Sequence, residues 1–147
     1  MATEPGTPGA PPPLRLLETA LYAADLEAAE GFYSGVLGLE VVVRVAGRHV
    51  FFRCGPGMLL VFDPARTAGG PAPGALPVPA HGAAGPGHVC FAADGPALDA
   101  WLGRLEAAGV AVEADFRWPN GARSIYVRDP AGNSVEFAEP ALWGFPD

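Results

Sequence analysis

The feature that most constrains this chain is that its second half repeats its first. Gly38-Leu-Glu-Val matches Gly109-Val-Ala-Val, and the stretch RHVFFRCGPG from Arg48 matches RSIYVRDPAG from Arg123. Val61-Phe-Asp-Pro and Phe137-Ala-Glu-Pro close the two copies in the same way. A unit written twice folds twice, and the two copies then share one interior. Each copy opens with a strand pattern, Leu14 to Ala23 in the first and His88 to Ala92 in the second. A helical stripe follows. In the first copy Asp25 reads as its cap and Leu26, Ala29, Phe32, Tyr33, Val36 and Leu37 as its apolar face, with Gly38 as the stop. In the second copy Asp94-Gly95-Pro96 opens the helix, since proline suits a first turn. Leu98, Trp101, Leu102, Leu105 and Ala108 form its stripe, and Gly109 ends it.

Three further strands complete each copy. They are expected at Leu39 to Val45, Arg48 to Cys54 and Met58 to Phe62, and again at Val110 to Ala114, Arg123 to Arg128 and Ser134 to Ala138. The expected fold is therefore α+β: two tandem β-α-β-β-β modules forming a cupped mixed sheet with helices outside. The first module spans residues 14–64 and the second 87–140, with a Pro/Gly-rich connector at 65–86. Residues 1–13 read as a disordered tail and 141–147 as a C-terminal tail.

The stretch YVRDPAGNSVEF, Tyr126 to Phe137, poses the functional question. Its turn is explained by proline presetting φ and by glycine and asparagine tolerating positive φ. Glu136 is harder to explain. Val135 and Phe137 share one face of the last strand, so Glu136 points the other way, with Ser134 and Ala138. Alone, Glu136 would be an ordinary surface charge, and His88 a histidine satisfied within a core.

Net charge is −7, which argues against nucleic acid and anionic membranes as partners. No apolar run approaches the ~20 residues of a membrane span. Cys54 and Cys90 have no metal or redox spacing, so a cytoplasmic protein with free thiols is expected. A phosphate-binding glycine loop with lysine, a His-Glu-x-x-His zinc motif and a Ser-His-Asp spacing are all absent.

Two β-α-β-β-β units closing on RDPAGNSVEF, joined to FYSGVLGLEV in the first, resemble the vicinal oxygen chelate superfamily. That group includes glyoxalase I, extradiol dioxygenases, methylmalonyl-CoA epimerase, fosfomycin-resistance transferases and bleomycin-binding proteins. The resemblance implies metal ligands on the first and last strands of each module. Carried over by position, it points to Glu18, His88 and Glu136. Leu60 stands where a fourth ligand would be and cannot bind a metal, a departure from the four-ligand arrangement of glyoxalase I. Glu18 is a ligand, a catalytic base or a substrate contact.

The residues themselves add to this. A divalent cation would relieve the cost of two carboxylates facing one cup. One imidazole and two carboxylates suit Fe, Mn, Ni, Co, Mg or Zn and leave coordination positions open for a substrate oxygen. The resemblance turns the face of Ser124 and Tyr126 inward, so that Tyr126, Ser124, His49, Phe51, Met58, Leu60, Phe62 and Cys90 are expected to line the cup, giving it a polar and an apolar side. Tyr126 is the best hydroxyl for an oxyanion. Cys90 reads as a small filler, His81 as loop, and Trp118 as a packing or rim aromatic. The leading expectation is a small metal-dependent glyoxalase- or dioxygenase-like enzyme acting on an oxygen-bearing small molecule, with Glu18 or Glu136 available as base. The alternative is a metal-free drug-binding protein of the bleomycin-resistance kind. The resemblance and the slack of the connector also imply a homodimer.

Overall fold

The computed structural model describes residues 9–147. The N-terminal tail expected at 1–13 lies mostly outside the described residues. Eight strands and three α-helices follow in the order β1(Glu18–Tyr22) α1(Leu26–Glu30) β2(Glu40–Val45) β3(His49–Cys54) β4(Gly57–Phe62) α2(Pro64–Thr67) β5(His88–Ala92) α3(Gly95–Ala107) β6(Ala114–Arg117) β7(Arg123–Arg128) β8(Ser134–Ala138). Helix α1 runs on into a wider π-type segment, Gly31–Val36, and a 3₁₀ turn, Pro140–Trp143, follows β8. The strands make two four-stranded sheets, ordered β1-β4-β3-β2 and β5-β8-β7-β6. In each, the first strand pairs parallel with the last and the other pairs are antiparallel. The α+β class and the doubled module are thus the observed architecture. The mixed sheet is present as two separate halves.

Local chemistry explains the matched elements. Asp25, Asp63 and Asp94 each accept a backbone N–H at the start of α1, α2 and α3, offsetting donors that a helix leaves unpaired. Gly38 and Gly109 end the helical segments at φ of 80° and 73°, where other residues would be strained. Both sheets turn one face to the helices. Tyr33 packs on Phe52, and Trp101 stacks on Phe137 with ring centres 4.8 Å apart. Leu21, Val50, Leu59 and Val61 of the first sheet join Ile125, Val127 and Val135 of the second in one continuous core. The residues at alternate positions face away from that core and carry the candidate site.

Two strand expectations are corrected. Leu14 to Leu17 alternates like a strand but lies exposed, and β1 begins only at Glu18. Val110 and Val112 pack against the core as unpaired chain, and β6 starts at Ala114. The hairpin sets that register. Trp118 N donates to Ala122 O and Gly121 N to Trp118 O, both at 2.8 Å, so the ladder is laid down from the Trp118–Ala122 turn. Val110 to Val112 lies beyond its reach.

Residues 68–87 hold no strand or helix, yet they are tied back: His81 N donates to Thr67 O at 3.1 Å. Among the described residues, no helix is long and apolar enough to cross a membrane.

Candidate metal centre

Strand register places the site residues in rows. Across the second sheet, Cys90, Glu136 and Tyr126 stand side by side, because Cys90 pairs with Glu136 and Glu136 with Tyr126. Across the first sheet the same row is Ala20, Leu60 and Phe51. Glu18 pairs with Met58 as His88 pairs with Ser134. The correspondence of Leu60 with Glu136 and of Glu18 with His88 is therefore a property of the two ladders.

On the second sheet, chemistry converges. His88 Nε2 lies 3.3 Å from Glu136 Oε1, with the histidine side chain 51% exposed and the glutamate 7%. His88 Nδ1 sits 3.1 Å from the carbonyl of Ser134. A carbonyl only accepts, so Nδ1 carries a hydrogen and Nε2 is the ring nitrogen left facing the carboxylate. A proton or a cation between Nε2 and Oε1 would satisfy both atoms. An imidazole nitrogen and a carboxylate oxygen turned toward one point are also a donor set that fits a divalent ion. The Nδ1–carbonyl bond is also the outer contact that orients metal-binding imidazoles.

Glu136 is anchored from beneath. Ser124 Oγ donates to Glu136 Oε2 at 2.6 Å, and Trp118 Nε1 donates to Ser124 Oγ at 2.8 Å. Ser124 is wholly buried, and its hydroxyl is spent on Glu136. Tyr126 stands over His88 with ring centres 6.2 Å apart and is itself stacked on Phe116 at 5.8 Å. Burial, reinforced by the Glu136 carboxylate, pushes the Tyr126 phenol up to about 12, so it stays a hydrogen donor at neutral pH. The Cys90 thiol is likewise pushed up to about 12, by the protein around it and then by Glu136, although the residue reaches solvent. It is held as a thiol at neutral pH.

The first sheet supplies the apolar wall. His49 stacks on Phe51 with ring centres 4.1 Å apart, and both pack edge-on against Phe62. Burial and the neighbouring Arg48 hold His49 below the usual histidine range, and Arg48 Nη1 donates to its Nδ1 at 2.7 Å. His49 is therefore a packed, neutral ring. His81, in the connector, folds onto this wall, 2.7 Å from the Tyr22 hydroxyl and edge-on to Phe62. With Glu18, Ala20 and Leu60 it borders a cavity of about 470 Å³. A larger cleft of about 780 Å³, between the end of β2 and the connector, holds none of the candidate chelating residues.

Glu18 remains apart from the pair. It is exposed on β1, and among the described residues no three His, Cys, Asp or Glu side chains gather as a metal-holding group. Within one chain the fold brings His88, Glu136, Tyr126, Ser124 and Cys90 to one face, and Glu18, Phe51, Met58, Leu60 and Phe62 to the other. Sequence reasoning read Trp118 as a packing or rim aromatic and gave it no link to Glu136. The signal for it was an indole N–H, which seeks a partner when half-buried, close to a serine on the cup face.

Paired β-α-β-β-β modules with chelating side chains on their open faces define the glyoxalase-like class of fold. The chain belongs to the Glyoxalase/Bleomycin resistance protein/Dioxygenase superfamily, whose family model matches residues 15–137. It is similar to the crystal structure of lactoylglutathione lyase from Agrobacterium tumefaciens, at 54% identity and a TM-score of 0.88, covering 92% of this chain and 100% of that one. A glyoxalase/bleomycin resistance protein/dioxygenase from Nocardioides is similar at 25% identity and a TM-score of 0.68, covering 89% of this chain and 86% of that one. A glyoxalase family protein from Bacillus anthracis shares the fold at 20% identity, with a TM-score of 0.66 and coverage of 88% and 98%. No curated protein sequence matches the chain significantly.

Proposed function

We propose that this protein is a divalent-metal-dependent lyase or isomerase of the glyoxalase type, acting on an oxygen-bearing small organic molecule. One observation carries the reading: His88 Nε2 faces Glu136 Oε1 at 3.3 Å while Nδ1 is tied to a backbone carbonyl. Similarity to a lactoylglutathione lyase at 54% identity supports the lyase direction, and makes lactoylglutathione the first compound to try.

In this reading His88 and Glu136 hold the ion, which when bound supplies Lewis acidity toward a substrate oxygen. Tyr126, kept protonated, donates to the same oxygen. Phe51, Leu60 and Phe62 pack the substrate's apolar body, and Glu18 acts as a further ligand or as the base that takes a substrate proton. Because Glu18 stands on the other face, we place it in the site of a second copy, in a homodimer. Exposed apolar side chains beside both faces support this: Leu16 and Leu17 precede Glu18, and Phe116 flanks Tyr126. Two free thiols suit a reducing compartment, and we place the protein in the cytoplasm.

Metal analysis after purification tests the reading. About one divalent ion per chain is expected, lost in His88→Ala and in Glu136→Ala. Full occupancy in both variants overturns it. A metal-free binding protein is the second reading, favoured because no three chelating side chains gather among the described residues. A parent protein without metal, and unable to take it up, selects that alternative.

A further inference from the structure

We infer that Trp118 and Ser124 are positioning residues that choose which oxygen of Glu136 is offered to the metal. This inference rests on the reading of Glu136 as a ligand.

A hydroxyl has one hydrogen to donate and two lone pairs to accept with. The Trp118 indole can only donate, and it donates to Ser124 Oγ at 2.8 Å. The single hydrogen of Ser124 is thereby turned away from the indole and toward Glu136 Oε2, 2.6 Å away. That short, charge-assisted bond holds Oε2. Oε1 is then the oxygen that faces His88 Nε2, at 3.3 Å. Without the serine hydrogen, the carboxylate could rotate about its last bond, and either oxygen could be presented.

The relay spans three elements. Trp118 follows β6, Ser124 begins the buried part of β7, and Glu136 sits at the centre of β8. Ser124 pairs with Ala138, so its hydroxyl reaches Glu136 diagonally across the ladder. Phe116 packs edge-on against Trp118, with ring centres 4.9 Å apart, and steadies the indole. The corresponding position in the first module is His49, whose neighbours Phe51 and Leu60 offer no carboxylate to orient. The relay therefore belongs to the module that carries Glu136.

Co²⁺ titration of the metal-stripped full-length protein tests this, read by equilibrium dialysis and by the visible absorption of the bound ion. Ser124→Ala is expected to weaken Co²⁺ binding by about 10–100-fold and to alter the absorption bands. Ser124→Thr keeps the hydroxyl and is expected to restore most of the affinity. Trp118→Phe keeps the serine but frees its hydrogen, and is expected to weaken binding by a smaller factor. Glu136→Ala should abolish binding.

If Glu136→Ala loses Co²⁺ while Ser124→Ala and Trp118→Phe both match the parent in affinity and spectrum, the positioning role is overturned and the ligand reading stands. If Glu136→Ala binds like the parent, the ligand reading itself fails and takes this inference with it. Should Ser124→Ala not fold, Trp118→Phe decides: parental affinity and spectrum there overturn the inference.

Discussion

The Tyr33 hydroxyl donates to Asp129 Oδ2 at 2.7 Å, joining residues 96 positions apart. Tyr33 belongs to the first module and Asp129 to the Asp-Pro-Ala-Gly-Asn turn of the second. Asp129 Oδ1 also accepts from the backbone of Ala131 and Asn133, and Oδ2 from the Asn133 side chain. Asn133 reaches on to the carbonyl of Tyr22 at 3.1 Å and accepts from Gly87 N at 2.7 Å. The turn is thus a clasp between modules, built from polar groups that are almost wholly buried. Its chemistry is structural, whereas Glu136, seven residues beyond Asp129, faces the open side.

Breaking the clasp should cost stability and leave the metal site intact. Tyr33→Phe leaves a buried carboxylate short of a donor, so a loss of about 1–3 kcal/mol is expected. Asn133→Ala removes three contacts and should cost more. Urea unfolding measures both, with metal content as the control. A Tyr33→Phe midpoint equal to the parent's would show that the bond contributes nothing. The sign in alkali follows from the Tyr33 phenol, which burial and then Asp129 hold above the usual tyrosine range. The folded state excludes the phenolate, so this group's opposition to folding begins only as pH rises past the ordinary tyrosine value.

Much of this architecture was legible because alternation and repetition are local. The row Cys90, Glu136, Tyr126 follows from strand periodicity, and its partner row Ala20, Leu60, Phe51 from the repeat. The relation between the two faces was not legible. It depends on where Tyr33 and Tyr22 meet Asp129 and Asn133, and strand periodicity carries no information about that docking. The link from Trp118 to Glu136 was not legible because Trp118 enters from a turn, outside either period. Leu14 to Leu17 and Val110 to Glu113 were overread because apolar alternation marks a strand only where a partner strand is in reach.

Cys90 should react slowly despite its exposure. Its thiol is held at about 12, with Glu136 among the causes. Against an ordinary thiol near 8.5, the thiolate fraction at pH 8 falls on the order of a thousand-fold, and the alkylation rate with it. Iodoacetamide labelling in a Cys54→Ser background measures this. Glu136→Gln should speed the reaction, since removing the negative charge lowers the cost of forming the thiolate. Labelling at the rate of a free peptide thiol would contradict the placement of Cys90 against the carboxylate.

Gly87 should tolerate no side chain. A Cβ there would lie 3.0 Å from Leu21 Cδ2 and 3.3 Å from Asn133 Oδ1. Gly87→Ala pushes on the core and the clasp together, with an expected loss of about 1–3 kcal/mol. Thermal melting checks it, and an unchanged transition would mean the second module enters the core less tightly than these contacts imply.

A site shared between two copies would make a prediction that no single variant can. Suppose Glu18 of one copy completes the site of His88 and Glu136 of another. Chains with Glu18→Ala and chains with His88→Ala are then each inactive alone. Mixed and re-formed as dimers, half become heterodimers by chance. In each heterodimer one site carries both lesions and the other carries none. About a quarter of the parental sites should therefore return, as expected for a two-fold dimer in which each copy lends a residue to the other's site. Turnover of lactoylglutathione and recovered metal content both read the outcome. If each chain builds its own site, mixing restores nothing at any ratio. If Glu18 has no part in the chemistry, the Glu18→Ala chains are active before mixing, and His88 with Glu136 must find their remaining partners elsewhere.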